Sequence, residues 1–270
     1  MSNSLFFFSG NDIRSLLSMK ACIDGMKTAF SALSNGEALM PVRTRLDMEQ
    51  DNSNALFMPV CIPGIKKVGI KTVTNCIDNP ARGLPMIHAM VMIFDTATGV
   101  PLAVMDGEAI TAMRTGAVSG LATSLLAREN ASIAAVIGTG AQGETQLEAI
   151  CTVRKIEQAY VFDLDPKKAE AFALKMKDRL NIEVKAADSI TTLKKVDIIC
   201  TATPSRTPVF SDTHLKGGVH INGVGAYKPD MIEIPSETIA RAKVVVDQRQ
   251  SCLVEAGDLI KPIQMNIIGE

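Results

Sequence analysis

Apolar positions recur along this chain with two different periods. Over residues 10–36, Ile23, Met26, Phe30 and Leu33 fall at helical spacing, and "SNG" at 34–36 supplies a stop at Gly36. One helical stretch is expected there. The pattern then shortens. "VRTRLDM", "NALFMPVCIPG", "KKVGIKTVTN", "LPMIHAMVMIFD" and "GVPLAVMDG" read as strands broken by turns, with "DTATG" at 95–99 as a hairpin-type turn. "EAITAMRTGAVSGLATSLLAREN", residues 108–130, returns to helix. It is rich in Ala and Leu, Gly116 and Gly120 permit close packing, and Asn130 is the expected stop.

From residue 131 short apolar runs alternate with helical segments. "SIAAVIG", "QAYVFD", "VDIICTAT" and "GVHINGV" have the composition of buried strands, and "GETQLEAICTVRK" and "DPKKAEAFALKMKDRL" lie between them as helices. Alternation of this kind argues for βαβ units and a parallel sheet. The expected class is α/β, with a domain boundary within the 108–130 helix or just after it. No internal repeat and no low-complexity segment interrupts the pattern.

Composition narrows the picture without changing it. A chain of 270 residues, 47% hydrophobic and 21% charged, has the balance of an ordinary globular protein and length for two domains. A net charge of −1 with no run of basic residues gives no nucleic-acid footprint. No apolar stretch approaches the length of a membrane helix. "LFFF" near the start is followed at once by Asn11, Asp12 and Arg14, which is not the pattern of a signal peptide. The six cysteines form no CxxC pair, and without an export signal they read as reduced thiols in the cytoplasm. The three histidines have no ligand spacing, so no metal site is expected.

Lys71 stands out against its surroundings. Val68, Ile70 and Val73 make a β-branched run around it, and a buried lysine loses hydration worth several kcal/mol, in order of magnitude, unless a partner restores it. These residues alone leave two readings, an edge-strand lysine in water or an inward charge aimed at something negative.

"AAVIGTGAQGETQLEAI" places Gly138-x-Gly140-x-x-Gly143 directly after a strand and at the start of a helix, the context a Rossmann-type dinucleotide-binding domain requires. Gly138 is expected to make the tight turn, Gly140 to admit a pyrophosphate and Gly143 to let helix and strand pack closely. The helix amino terminus then faces the phosphates. Asp163 lies 20 residues past Gly143, where an acid is expected to bond the ribose hydroxyls of adenosine. It would repel a 2′-phosphate and no arginine follows it, so NAD is expected rather than NADP. The loop in "CTATPSRTPVF" follows a later strand, and Thr203 and Ser205 are open between cofactor contact and a plain loop started by Pro204.

Taken together, "VGIKTVTN", "GLPMIHAMVMIFDTATGVPLAVMDGEAITAMRTGAVSGLATSLLA", "VIGTGAQGETQLEAI", "CTATPS" and "INGVGAYKPDMIEIP" resemble the ornithine cyclodeaminase/mu-crystallin family over nearly the whole chain. The resemblance implies a Rossmann domain with a parallel sheet at residues 116–255. It also implies a second, α+β substrate and dimerisation domain at 1–115, joined by 256–270, with substrate held between the two and a homodimer as the assembly. By motif, Arg45, Lys71 and Arg114 match the family's contacts to a substrate carboxylate, and Arg114 and Thr115 match positions near the cofactor phosphates. Ala141 and Gln142 match the diphosphate loop, and Val224 and Gly225 the segment near the nicotinamide.

The chemistry fits these residue types. Two arginines and a lysine offer fixed donors to the carboxylate of an α-amino or α-imino acid. Reducing an imine also requires a proton on nitrogen. Lys71 near two arginines is expected to have a lowered pKa and to serve as proton donor as well as carboxylate contact. For Arg45 a solvated strand position, for Arg114 a structural ion pair and for His88 a core site are the competing readings.

Cyclodeaminases of the family carry an aspartate where this chain has Ala226, and Asp230 follows Pro229 instead. That favours reduction of a cyclic ketimine such as Δ1-pyrroline-2-carboxylate. Ornithine cyclodeamination with Asp230 reaching the substrate amine is the alternative, followed by alanine dehydrogenation or ligand binding without catalysis. Family members usually continue past a "GDLI" stretch, whereas "EAGDLIKPIQMNIIGE" closes this sequence. The expectation is a shortened or partial chain.

Overall fold

A computed structural model describes residues 4–269, so the outermost limits of the expected domains, residues 1 and 270, lie outside the described residues. The chain divides into two compact units, one ending at Arg114 and one beginning at Thr115.

In the first unit β1 (Phe6–Phe8) leads into α1 (Gly10–Leu16) and α2 (Met19–Ser34). The stretch expected as one helix is broken at Ser18. Its backbone is extended, and its hydroxyl accepts from the Ala21 N–H, which starts a new helix. Ile23 is buried in α2, with Met26, Phe30 and Leu33 half-buried beside it, as their spacing predicts. Then follow β2 (Thr44–Met48), β3 (Ser53–Ile62), β4 (Lys67–Cys76), β5 (Ile87–Asp95) and β6 (Pro101–Asp106). They form a sheet in the order β1-β6-β5-β4-β3-β2. All neighbours are antiparallel except β1, which pairs parallel to β6 with Phe6 opposite Ala103. β4 is therefore an interior strand, which removes the edge-lysine reading of Lys71. Asp106 caps α3 (Gly107–Leu126) by accepting from the Ala109 N–H. Gly107 sits where the helix crosses β5, because a Cβ there would stand 2.5 Å from the Ala89 carbonyl carbon. α3 ends at Leu126, ahead of the expected stop at Asn130.

The second unit contains β7 (Ile133–Ile137), α4 (Ala141–Val153), β8 (Gln158–Phe162), α5 (Pro166–Leu180), β9 (Glu183–Ala186), β10 (Ile198–Thr201) and β11 (His220–Gly223). Three short helices close it: α6 (Ser236–Arg241), α7 (Arg249–Glu255) and α8 (Gly257–Gln264). The sheet runs β11-β10-β7-β8-β9 with every pair parallel. The order reverses between β7 and β10, and this is the switch point of a doubly wound fold. β9, "EVKA", is polar enough at an edge to have escaped the apolar pattern. Leu147 and Ile150 of α4 and Met176 of α5 are fully buried in the core on β7, β8 and β10. α8 packs with α6 and α7 in this second unit, whereas residues 256–270 were expected with the first.

Candidate active site

The three glycines after β7 meet three separate physical demands. Gly138 has φ +103°, and a Cβ on it would come 2.5 Å from the Ala202 carbonyl oxygen. Only glycine takes that turn without strain. At Gly140 nothing lies within 4 Å of a Cβ, so the backbone is open to a neighbour from outside the chain. A Cβ on Gly143 would collide with the Gly138 carbonyl oxygen and press on Phe172 and Val136. Gly140 is the N-cap of α4 without a side-chain cap, and the exposed Ala141 and the half-buried Gln142 begin its first turn. The Gln142 side-chain oxygen is buried with no hydrogen-bond partner. An open glycine, an uncapped helix start and an orphaned polar atom in one loop fit the pyrophosphate of a dinucleotide.

Asp163 stands directly after β8, at the carboxyl end of the strand next to that loop. Its Oδ2 accepts from the Thr139 N–H at 3.1 Å and the Thr139 hydroxyl at 2.5 Å, and its Oδ1 from the Asp165 N–H at 3.0 Å. Burial works to raise this carboxyl, but the hydrogen bonds from Thr139 and Asp165 outweigh it and hold the group below the usual carboxylate value. Each oxygen keeps lone-pair capacity for a ribose hydroxyl. The sequence reading missed Thr139, which fixes the acid's orientation.

On the other side of the switch point, the loops after β10 and β11 meet on Glu233, which is fully buried. Its Oε1 accepts from the Thr203 N–H and hydroxyl, both at 2.7 Å. Its Oε2 accepts from the Thr201 hydroxyl at 2.9 Å and the Gly225 N–H at 2.6 Å. A Cβ on Gly225 would run into the Thr203 carbonyl oxygen and the Glu233 carboxylate. Val224 donates its N–H to the Thr201 carbonyl at 2.9 Å. Thr203 and Gly225, two of the expected cofactor residues, are thus joined by an acid absent from the sequence reading, and Val224 is held beside them through Thr201. Burial raises the Glu233 carboxyl against these bonds. Beneath it Asp258 accepts from the Glu233 and Ile234 N–H groups at 2.7 and 2.9 Å, and burial pushes its carboxyl up to about 6.

In the first unit Lys71 is half-buried, and its Nζ donates to the Thr111 hydroxyl at 2.7 Å. That hydroxyl in turn donates to the Gly107 carbonyl at 2.6 Å, so its position is set by α3. Thr111 and Arg114 lie three residues apart on one helical face. Burial lowers the Lys71 pKa first, and the Arg114 guanidinium lowers it further. The second arginine expected to contribute does not. Arg45 is exposed on edge strand β2 and ion-paired with Asp47, its Nε donating at 2.8 Å. By register, Arg45 lies across from Leu56 and Val73, which puts it on the same face of the sheet as Lys71. Thr115 follows Arg114 within α3.

Asp230 and His88 sit differently from expectation. Asp230 is exposed and ion-paired with Arg206 at 3.1 Å, a partner supplied by the loop after β10. His88 is exposed rather than in a core, 3.9 Å from Glu108 in the little-covered first part of β5, where Ile87 is exposed as well. Cys200 is fully buried, and burial pushes its thiol up to about 12, which makes it inert.

A doubly wound parallel sheet whose first turn is shaped for a pyrophosphate defines the chain as a dinucleotide-binding protein with a second, mixed-sheet unit. It belongs to the ornithine cyclodeaminase/mu-crystallin family, whose model matches residues 6–267. Among its relatives, a Δ1-pyrroline-2-carboxylate reductase from Bacillus cereus is 38% identical over 262 residues, covering 96% of this chain and 80% of that protein. The structure of the Thermococcus litoralis Δ1-pyrroline-2-carboxylate reductase in complex with NADH and L-proline matches with a TM-score of 0.88 at 42% identity, covering 97% of this chain and 82% of that one. An archaeal alanine dehydrogenase dimer with bound NAD matches with a TM-score of 0.87 at 32% identity, covering 98% and 81%.

Proposed function

We propose that this protein is an NAD-dependent reductase of a small cyclic ketimine, with Δ1-pyrroline-2-carboxylate as substrate and proline as product. The observation that carries the reading is Lys71: an interior-strand lysine, held by Thr111, next to Arg114, with its pKa lowered. Such an ammonium is both a carboxylate partner and a better acid near neutral pH than an exposed lysine. Lys71 delivers its proton to the imine nitrogen, which makes the α-carbon a hydride acceptor, while Arg114 holds the carboxylate. Arg45 joins them by leaving Asp47. Gly138, Gly140, Ala141, Gln142 and Gly143 hold the pyrophosphate, with Arg114 and Thr115 near the phosphates, and Asp163 takes the adenosine ribose. When bound, NADH supplies the hydride. The homodimer follows the dimeric archaeal relative, and the free cysteines suit a reducing cytoplasm.

Ornithine cyclodeamination is the second reading. Asp230 would serve it, but Arg206 holds that carboxylate and Ala226 offers no acid in its place. NADH oxidation with Δ1-pyrroline-2-carboxylate, run beside ammonia release from ornithine, tests the choice. Turnover in the first assay alone is expected. Ammonia release alone would replace reduction by cyclodeamination, turnover with pyruvate and ammonia would favour alanine dehydrogenase activity, and tight carboxylate binding without turnover would make the protein a binder.

A further inference from the structure

We propose that Glu233 is a positioning residue for the nicotinamide half of the cofactor, acting through the loops after β10 and β11. The proposal rests on the dinucleotide reading above and names a residue that reading does not use. A doubly wound fold binds its cofactor across the switch point, one nucleotide to each half of the sheet. Asp163 assigns the adenosine half to the β8 side, so the nicotinamide half falls to the loops after β10 and β11. Backbone bonds anchor these loops at the strand ends, Ala202 N–H to the Ile137 carbonyl and Val224 N–H to the Thr201 carbonyl, both at 2.9 Å. Beyond those anchors, Thr203 and Gly225 donate to a single carboxylate, which also takes the Thr201 hydroxyl at the end of β10.

The carboxylate is suited to this by its acceptor count. Four donors converge on its two oxygens, and an ionised carboxylate has roughly four lone-pair sites. Glu233 is itself held from below. Its backbone N–H is bound by Asp258, and Gly257 lets α8 approach so closely that a Cβ would collide with the Met231 carbonyl. The chain on either side is pinned as well, by Ile232 N–H to the Ser205 carbonyl at 2.9 Å and Val209 N–H to the Glu233 carbonyl at 2.8 Å. A glutamine keeps the volume but presents an NH2 group to the Gly225 N–H, so the two loops are no longer tied to one point.

The test compares two nucleotides on the full chain. NADH spans both halves of the site, whereas ADP lacks the nicotinamide nucleoside. For Glu233→Gln, NADH affinity is expected to fall by about tenfold or more, the size of a lost hydrogen bond to a charged group, with ADP affinity unchanged. Glu233→Asp keeps the charge and is expected to recover part of the loss. Thr201→Val removes one donor with little change of shape, and so serves if Glu233→Gln does not fold. It is expected to weaken NADH by about two- to fivefold and leave ADP unchanged. Equal loss of both nucleotides in these variants, or unchanged NADH binding, would overturn the proposal. A wild-type chain that binds neither nucleotide would overturn the dinucleotide reading itself, and this inference with it.

Discussion

In the parallel sheet Ala134, Ala135, Val136, Ile198, Ile199 and Cys200 are shut off from solvent completely, whereas most residues of β3, β4 and β5 in the mixed sheet stay partly exposed. The parallel sheet owes its burial to the βαβ connections, which place helices on its faces. Among the described residues, both buried apolar clusters lie in that second unit. The mixed sheet has short connections and less cover, yet it carries Lys71, the proposed acid. On the function proposed above, the contrast separates two tasks: the dry sheet would carry the loops for the cofactor, and the more open sheet would let a small charged substrate reach Lys71.

Removing that lysine has the largest expected effect. Lys71→Met is predicted to lower kcat by about 10²–10⁴-fold, the range for loss of a general acid. NADH affinity is expected to stay unchanged, because Lys71 is not among the proposed cofactor contacts. The wild-type rate should fall as pH rises through the Lys71 pKa, since the protonated form is the acid, and the midpoint should lie below that of a free lysine. A variant that kept kcat and only raised KM would make Lys71 a carboxylate contact alone.

Matched isoleucines test the difference in burial directly. Ile199→Ala on β10 is expected to cost about 2–5 kcal/mol in denaturant unfolding. Ile70→Ala on β4, also an interior strand but half-buried, is expected to cost about 1 kcal/mol. Equal costs would break the comparison and indicate that the mixed sheet is covered in solution, as in a dimer.

Gly143→Ala comes next. The added methyl must displace the Gly138 carbonyl and press on the Phe172 ring, an overpacking cost of about 1–3 kcal/mol. ADP binding should fall along with stability. Gly140→Ala, with open space around its Cβ, is expected to leave stability nearly unchanged and to lower nucleotide affinity. Loss of stability in both variants would show that Gly140 is structural too.

The same contrast explains what the sequence made legible. Strands buried on both faces read as continuous apolar runs, so β7, β8 and β10 stood out. The glycine turn and Asp163 are set by spacing along one stretch of chain. Glu233 and Asp258 were invisible because two acids 25 residues apart look like surface charges until the fold brings one backbone onto the other's side chain. The bond from Lys71 to Thr111 joins positions 40 residues apart. β1 was hidden because its partner strand lies almost a hundred residues on. The break at Ser18 was readable in principle, since a serine three residues before Ala21 is an ordinary helix start. Alternation along β2 and β4 puts Arg45 and Lys71 on one face, but it does not say that Asp47, two residues away on the same strand, takes the guanidinium.

Arg45 therefore carries the smallest and sharpest prediction. Its ion pair with Asp47 is exposed on an edge strand, where water screens the attraction. Arg45→Gln should leave stability nearly unchanged. If Arg45 leaves Asp47 for the substrate, the interaction forms equally in ground and transition states, because the carboxylate does not react. KM for the imino acid should then rise with kcat unchanged. KM unchanged as well would confine Arg45 to its pair with Asp47 and leave Lys71 and Arg114 as the carboxylate contacts. A fall in kcat would mean that Arg45 orients the α-carbon rather than only binding its carboxylate, and the open sheet would then share the positioning role assigned here to the buried one.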